Sequence, residues 1–107
     1  MERIFEIEGD ALIIRLSGEI DHHIAPMLRK DIDDEMKLYG MVHLIFDFSR
    51  VSFMDSSGIG MVLGRYKKAV AAGGSVKIRN ASRLVKQILD MSGVFSLIAY
   101  EDIPADA

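Results

Sequence analysis

The sequence predicts an α/β fold, a mixed sheet of four or five strands with helices packed on it. Two observations carry that reading. Apolar residues alternate with a period of two over residues 5–16 and 42–48, and they recur at helical spacing over 24–36 and 59–70. The resulting order β-β-α-β-α-β-α-β, with short connections and right-handed crossovers, builds a sheet with helices against it. Phe5 and Ile7 alternate with Glu6 and Glu8, Gly9-Asp10 supplies a turn, and Leu12, Ile14 and Leu16 resume the alternation, so the chain opens on a β-hairpin. Asp21 stands where an N-cap belongs and Pro26 fits only a first turn. Ile24, Leu28, Ile32 and Met36 then repeat every four residues up to Gly40, which predicts a first helix over 23–39. Val42, Leu44, Phe46 and Phe48 form one apolar face of the next strand and Ile45 lies on the other, so this strand is expected to be central and covered on both sides.

A second helix is expected after Asp55, with Ile59, Val62, Leu63, Tyr66 and Val70 as its core-facing stripe and Gly73-Gly74 as its end. A short strand follows over 75–78. Ser82 caps a third helix with Val85, Ile88 and Leu89 inward, Gly93 is its C′ residue, and residues 95–100 form a last edge strand. Residues 101–107 are assigned no structure.

Composition narrows the function. The chain has 107 residues, half of them apolar, which suits one domain over 1–107 with a core that needs no metal or disulfide staple. There is no cysteine, so disulfide, thiolate and cysteine-zinc chemistry are excluded. The N-terminus alternates charge with apolar residues and lacks the apolar core of a signal peptide, and no run approaches the ~20 residues of a membrane span, so a cytoplasmic protein is expected. A net charge of −3 with scattered basic residues gives no footprint for nucleic acid, and Lys67-Lys68 and the series Lys77, Arg79, Arg83, Lys86 read as solvated faces.

Several enzyme chemistries fail on spacing. Gly58, Gly60 and Gly64 form G-x-G-x-x-x-G, one residue longer than a dinucleotide fingerprint, and Lys77 and Arg79 stand where an acidic ribose ligand belongs. A serine-hydrolase elbow is absent because Met54 replaces its first glycine. His22, His23 and His43 show no metal-ligand spacing, and the run Asp31, Asp33, Asp34, Glu35 reads as the wet face of the first helix. No cofactor or metal is expected. The glycines are nevertheless costly, at about 1 kcal/mol each inside a helix, and a close approach by another backbone or a partner would explain them.

The most informative stretch is Ser52-Phe53-Met54-Asp55-Ser56-Ser57-Gly58-Ile59-Gly60, which places two hydroxyls where an apolar strand gives way to a helix. A hydroxyl there serves as a cap and as an accessible phosphate acceptor, and the positive end of the helix dipole tolerates added negative charge. With it come, in order along the chain, Gly18-Glu19-Ile20-Asp21-His22-His23, Leu63-Gly64-Arg65-Tyr66-Lys67, Gly73-Gly74 and Leu89-Asp90-Met91-Ser92-Gly93. Together these segments resemble the STAS domain family, specifically the bacterial anti-sigma factor antagonists. The paired histidines and the Leu-Gly-Arg-Tyr-Lys segment resemble the sporulation antagonists that control sigma-F more than the general-stress ones.

The resemblance implies a partner switch rather than an enzyme. The unmodified protein would bind an anti-sigma factor that is also an ATP-dependent serine kinase and so release the sigma factor. The kinase would then phosphorylate the first serine after the motif aspartate, which is Ser56, and a serine phosphatase would restore activity. Nucleotide and magnesium belong to the partner. The implied partner surface comprises Asp21, Asp55, Ser56, Ser57, Gly58, Ile59, Gly60, Met61 and Gly64. The competing expectation is a STAS interaction module of a general-stress or other signalling complex with a different partner. Only seven residues follow Tyr100, so the final helix common in the family is expected to be short or missing.

Overall fold

The computed structural model describes residues 2–104. The elements are β1 (Glu2–Glu8), β2 (Ala11–Ile20), α1 (Ala25–Tyr39), β3 (His43–Met54), α2 (Ser56–Ala71), β4 (Ser75–Arg79), α3 (Arg83–Met91), a 3-10 turn (Val94–Ser96) and β5 (Ala99–Glu101). The sheet order is β1-β2-β3-β4-β5, with β1 antiparallel to β2 and every later pair parallel. Strands that advance in one direction through right-handed crossovers place all their helices on one face. Accordingly, a single core gathers Leu28 and Ile32 of α1, Val62 and Ala69 of α2, and Val85 and Leu89 of α3 over Leu12, Ile14, Leu44, Phe46 and Ile78 of the sheet.

Among the described residues the opposite face carries no helix. The expectation that β3 is covered on both sides is therefore corrected: Ile45 is half-buried, and a ladder of charged side chains lies across that face instead. Arg15 on β2 reaches Glu6 on β1 (3.2 Å) and Asp47 on β3 (2.6 Å), and Asp47 also meets Arg79 of β4 at 3.3 Å. Asp47 is 3 % exposed. Burial pushes its carboxyl up, but hydrogen bonds from the Ser49 amide and hydroxyl, with the guanidiniums of Arg79 and Arg15, outweigh that and hold it below the ordinary carboxylate value. Arg79, expected on a solvated face, is thus a buried partner of Asp47.

The helices depart from expectation in phase more than in position. α1 starts two residues late, at Ala25, and stops at Gly40, whose left-handed backbone (φ 63) caps the last turn. In α2 the buried face is Gly58, Met61, Val62, Arg65 and Ala69, one residue round from the expected stripe. Ile59, Leu63 and Tyr66 are half-buried and Val70 is exposed. The acidic run of α1 is also more than a wet face. Asp31 pairs with Arg3 of β1, and Asp33 pairs with Arg65 and Lys68 of α2, so this helix is clamped to its neighbours. The last strand is shorter and later than expected because Val94–Ser96 close a 3-10 turn that buries Val94 and Ile98 first. Of the tail left unassigned, Glu101 belongs to β5 and residues 105–107 lie outside the described residues. No helix among the described residues is long and apolar enough to cross a membrane.

Asp47→Ala should destabilise the fold by about 3 kcal/mol, because it leaves Arg79 buried without its counter-charge. The lowered carboxyl value sets the sign of the pH effect: the stabilisation is present above the unfolded carboxylate value, about 4, and is lost as pH falls through the lower folded value. Urea melts of wild type and variant from neutral to acid pH check both; a difference between them that stays constant down to strongly acid pH would contradict the assignment.

Candidate functional site

The site is set by how far two parallel strands stay paired. β2 and β3 run together past two register shifts to the pair Ile20↔Met54, and the Asp55 N–H then donates to the Ile20 carbonyl at 3.1 Å. The segment leading into α1 and the N-terminus of α2 therefore emerge side by side at the carboxyl ends of adjacent strands. That edge of an open α/β sheet is where ligands and partners are usually received.

Each segment is capped by an aspartate. Asp21 Oδ1 accepts from the backbone N–H of His23 (2.9 Å) and Ile24 (3.1 Å), closing the turn that precedes α1. The Ile24 N–H first, and the His23 N–H and nearby imidazoles after it, hold the Asp21 carboxyl below its ordinary value. The expectation that Asp21 caps the first helix is thereby corrected: it closes the lead-in turn, and α1 begins after Ile24 with no side-chain cap. At α2 the cap is Asp55, whose Oδ1 accepts from Ser57 N–H at 2.8 Å and Gly58 N–H at 3.4 Å. The expectation that a serine hydroxyl caps this helix is thereby corrected, and the hydroxyls of Ser56 and Ser57 are released from that task. Ser56 is exposed on the first turn and Ser57 is partly covered. His22 Nδ1 lies 3.8 Å from Asp55 Oδ2, bridging the two segments, while His43 stands at the far end of β3 beside Ser75.

The expected partner surface divides in two. Met61 is 2 % exposed and packs into the core, so it is not part of the exposed surface expected of it and only lines the cleft between α1 and α2. Gly58 is buried as well: a Cβ there would lie 2.9 Å from Ile20 Cγ2, 3.2 Å from Met54 Cβ and 3.3 Å from the Ile20 carbonyl. Its missing side chain is demanded by the approach of β2. Gly60 and Gly64 are different, since a Cβ at either meets nothing within 4 Å. Asp21, Asp55, Ser56, Ser57, Ile59, Gly60 and Gly64 stay at least partly accessible, joined by Phe53 at 40 % exposure.

Beside this surface a cleft of ≈ 350 Å³ opens between α1 and α2, lined among others by His22, Arg29, Ser57, Gly60, Gly64 and Arg65. Arg65 lies on the buried face of α2, at 4 % exposure. Burial pushes its guanidinium below the ordinary value, Asp33 opposes that, and Arg29 adds to it, yet an arginine so placed stays charged. Arg29 and the buried position of Arg65 were not found by sequence reasoning; a charged residue in phase with Met61, Val62 and Ala69 was the available signal.

A model of the STAS domain family matches residues 3–107. An anti-sigma F factor antagonist from Paenibacillus polymyxa is 38% identical over 96 residues, which cover 90% of this chain and 82% of that protein. Among solved structures, the anti-sigma factor antagonist SpoIIAA in its unphosphorylated form superposes with a TM-score of 0.84 at 32% identity, over 98% of this chain and 90% of that one. The Bacillus cell fate determinant SpoIIAA in the phosphorylated form gives 0.76 at 31% identity, over 98% and 94%.

The two kinds of glycine separate experimentally. Gly60→Ala should stabilise α2 by up to about 1 kcal/mol, the ordinary helix-propensity gain. Gly58→Ala should lose stability, because overpacking of about 1–3 kcal/mol against Ile20 and Met54 exceeds that gain. Thermal melts that shift the same way for both would contradict the packing described. Asp55→Ala should cost about 1 kcal/mol as a lost cap, read in the same melts.

Proposed function

The chain belongs to the STAS domain family, among its anti-sigma factor antagonists, and from that premise we propose that it is a phosphorylation-controlled anti-anti-sigma factor of the sporulation, sigma-F type. Unmodified, it binds an anti-sigma factor that carries serine kinase activity and releases the sigma factor held there. The kinase phosphorylates Ser56 and ends the interaction, and a serine phosphatase reverses the step. The protein supplies no catalytic group: ATP and magnesium are held by the partner, in the cytoplasm.

The observation that carries the reading is Ser56 itself, exposed on the first turn of α2 with the capping duty taken by Asp55. A phosphate there adds about −1.5 to −2 charges beside Asp55, with Asp21 on the adjacent segment. Within the fold that charge sits at a helix N-terminus and is worth roughly 0.3–1 kcal/mol of stabilisation. Under a docked partner it becomes a buried, uncompensated charge, at about 3–5 kcal/mol. The interface effect exceeds the fold effect several-fold, so phosphorylation removes the partner without rearranging the backbone. The glycines support the same reading, since the fold requires Gly58 but leaves Gly60 and Gly64 open for a partner surface to approach the helix.

Incubation with the cognate anti-sigma kinase and ATP should add the mass of one phosphate, mapping to Ser56. Ser56→Ala should block that addition and keep kinase binding, whereas Ser56→Asp should weaken binding with little change in melting temperature. Equal affinities for the two variants would place the interface elsewhere. Gly60→Asp should likewise lower affinity more than stability; a matched loss of both would return Gly60 to a purely structural role.

A further inference from the structure

The cleft between α1 and α2 holds positive charge in excess of the one carboxylate, Asp33, that the fold sets against it. Arg65 forms part of its lining at 4 % exposure. Its Nε is ion-paired with Asp33 Oδ1 at 2.9 Å, off the line of a hydrogen bond, and its Nη1 is buried with no acceptor among the described residues. A buried guanidinium with a single ion-pair partner is costly, and an apolar side chain of similar length would fill the helix position without that cost. Asp33 is moreover shared with Lys68, at 2.7 Å, so one carboxylate faces two cations. Arg29 adds a third from the opposing helix, and among the described residues it is in no ion pair.

The wall of the cleft is stripped of side chains along one line. Gly60 and Gly64 lie one helical turn apart on α2 and line the cleft together with Ala25 and Pro26 of α1, and a Cβ at either glycine would meet nothing within 4 Å. Its lining includes Ser57, the residue next to Ser56. We propose that this cleft is an acceptor subsite for a carboxylate side chain of the docking partner, an Asp or Glu that enters over Gly60 and Gly64 and is bound by Arg29 and Arg65. The planar fork of an arginine matches a carboxylate two bonds at a time, which suits the task better than a lysine would. The proposal rests on the reading that the surface around Ser56 receives the anti-sigma kinase, and it names how that surface chooses its partner.

The test uses the full chain and its cognate anti-sigma kinase, measuring affinity at several salt concentrations and steady-state phosphorylation of the antagonist. Arg29→Gln should weaken binding roughly tenfold or more, flatten its salt dependence, and raise KM for the antagonist while sparing kcat. Arg29→Lys should recover part of the affinity. Arg65→Lys, which keeps the charge and loses the fork, should act in the same direction; Arg29 is the exposed member of the pair, so its variants remain informative should Arg65→Lys fold poorly. Wild-type affinity and KM in Arg29→Gln would overturn the subsite while leaving the serine switch intact. A wild-type protein that does not bind the kinase at all would overturn the switch and the subsite together.

Discussion

The parallel pairing of β2 with β3 as far as Ile20↔Met54 is the constraint on which the rest depends. Without it, Asp21 and Asp55 are ends of unrelated loops; with it, and with the Asp55 N–H on the Ile20 carbonyl, they cap neighbouring segments of one surface. The pairing is itself secured from both sides of the sheet. The helix-covered side buries Ile20 and Met54 beneath Gly58, and the helix-free side is tied across β1 to β4 by Glu6, Arg15, Asp47 and Arg79. A side chain at position 58 would push α2 off Ile20, so the smallest residue stands where strand and helix must meet most closely.

The same economy separates fold from function along α2. Its buried face, Gly58, Met61, Val62, Arg65 and Ala69, answers to the core, while Gly60 and Gly64 answer to nothing within the chain. Helical glycines that the packing does not need weaken the helix by about 1 kcal/mol each. In the proposed function an approaching partner surface accounts for that weakness, and it is the surface that an added charge on Ser56 would close. The capping arrangement fits this division: the carboxylate of Asp55 satisfies the helix N–H groups, and the serine hydroxyl is left for chemistry supplied from outside.

Much of the fold was legible because its signals are local. Gly40 and Ser82 cap the helices where the sequence places them, and period-two alternation finds the hairpin and β3. The phase of α2 was not, because glycines at 58, 60 and 64 erase half the pattern, and the apolar stripe through Ile59, Leu63 and Tyr66 shares Val62 with the true one a residue away. Long-range charge pairing was equally hidden: Asp47 and Arg79 belong to different strands, and nothing near either in sequence announces a buried pair. In the site, the motif around Ser56 was legible as a hydroxyl at a helix start. That Asp55 and not a hydroxyl caps the helix, that Met61 turns inward, and that Arg65 reaches a cleft with Arg29 all depend on how α2 is rotated against α1, a tertiary property that no window of the sequence carries.

The central claim is that a phosphate on Ser56 acts on the interface and hardly on the fold. The most direct measurement compares the homogeneously phosphorylated protein with the unmodified one, recording melting temperature and affinity for the anti-sigma kinase on the same preparations. The account predicts a melting temperature unchanged or slightly raised, with affinity lower by about two to three and a half orders of magnitude. A phosphorylated form that loses stability in step with affinity, or that binds as tightly as the unmodified chain, would contradict it.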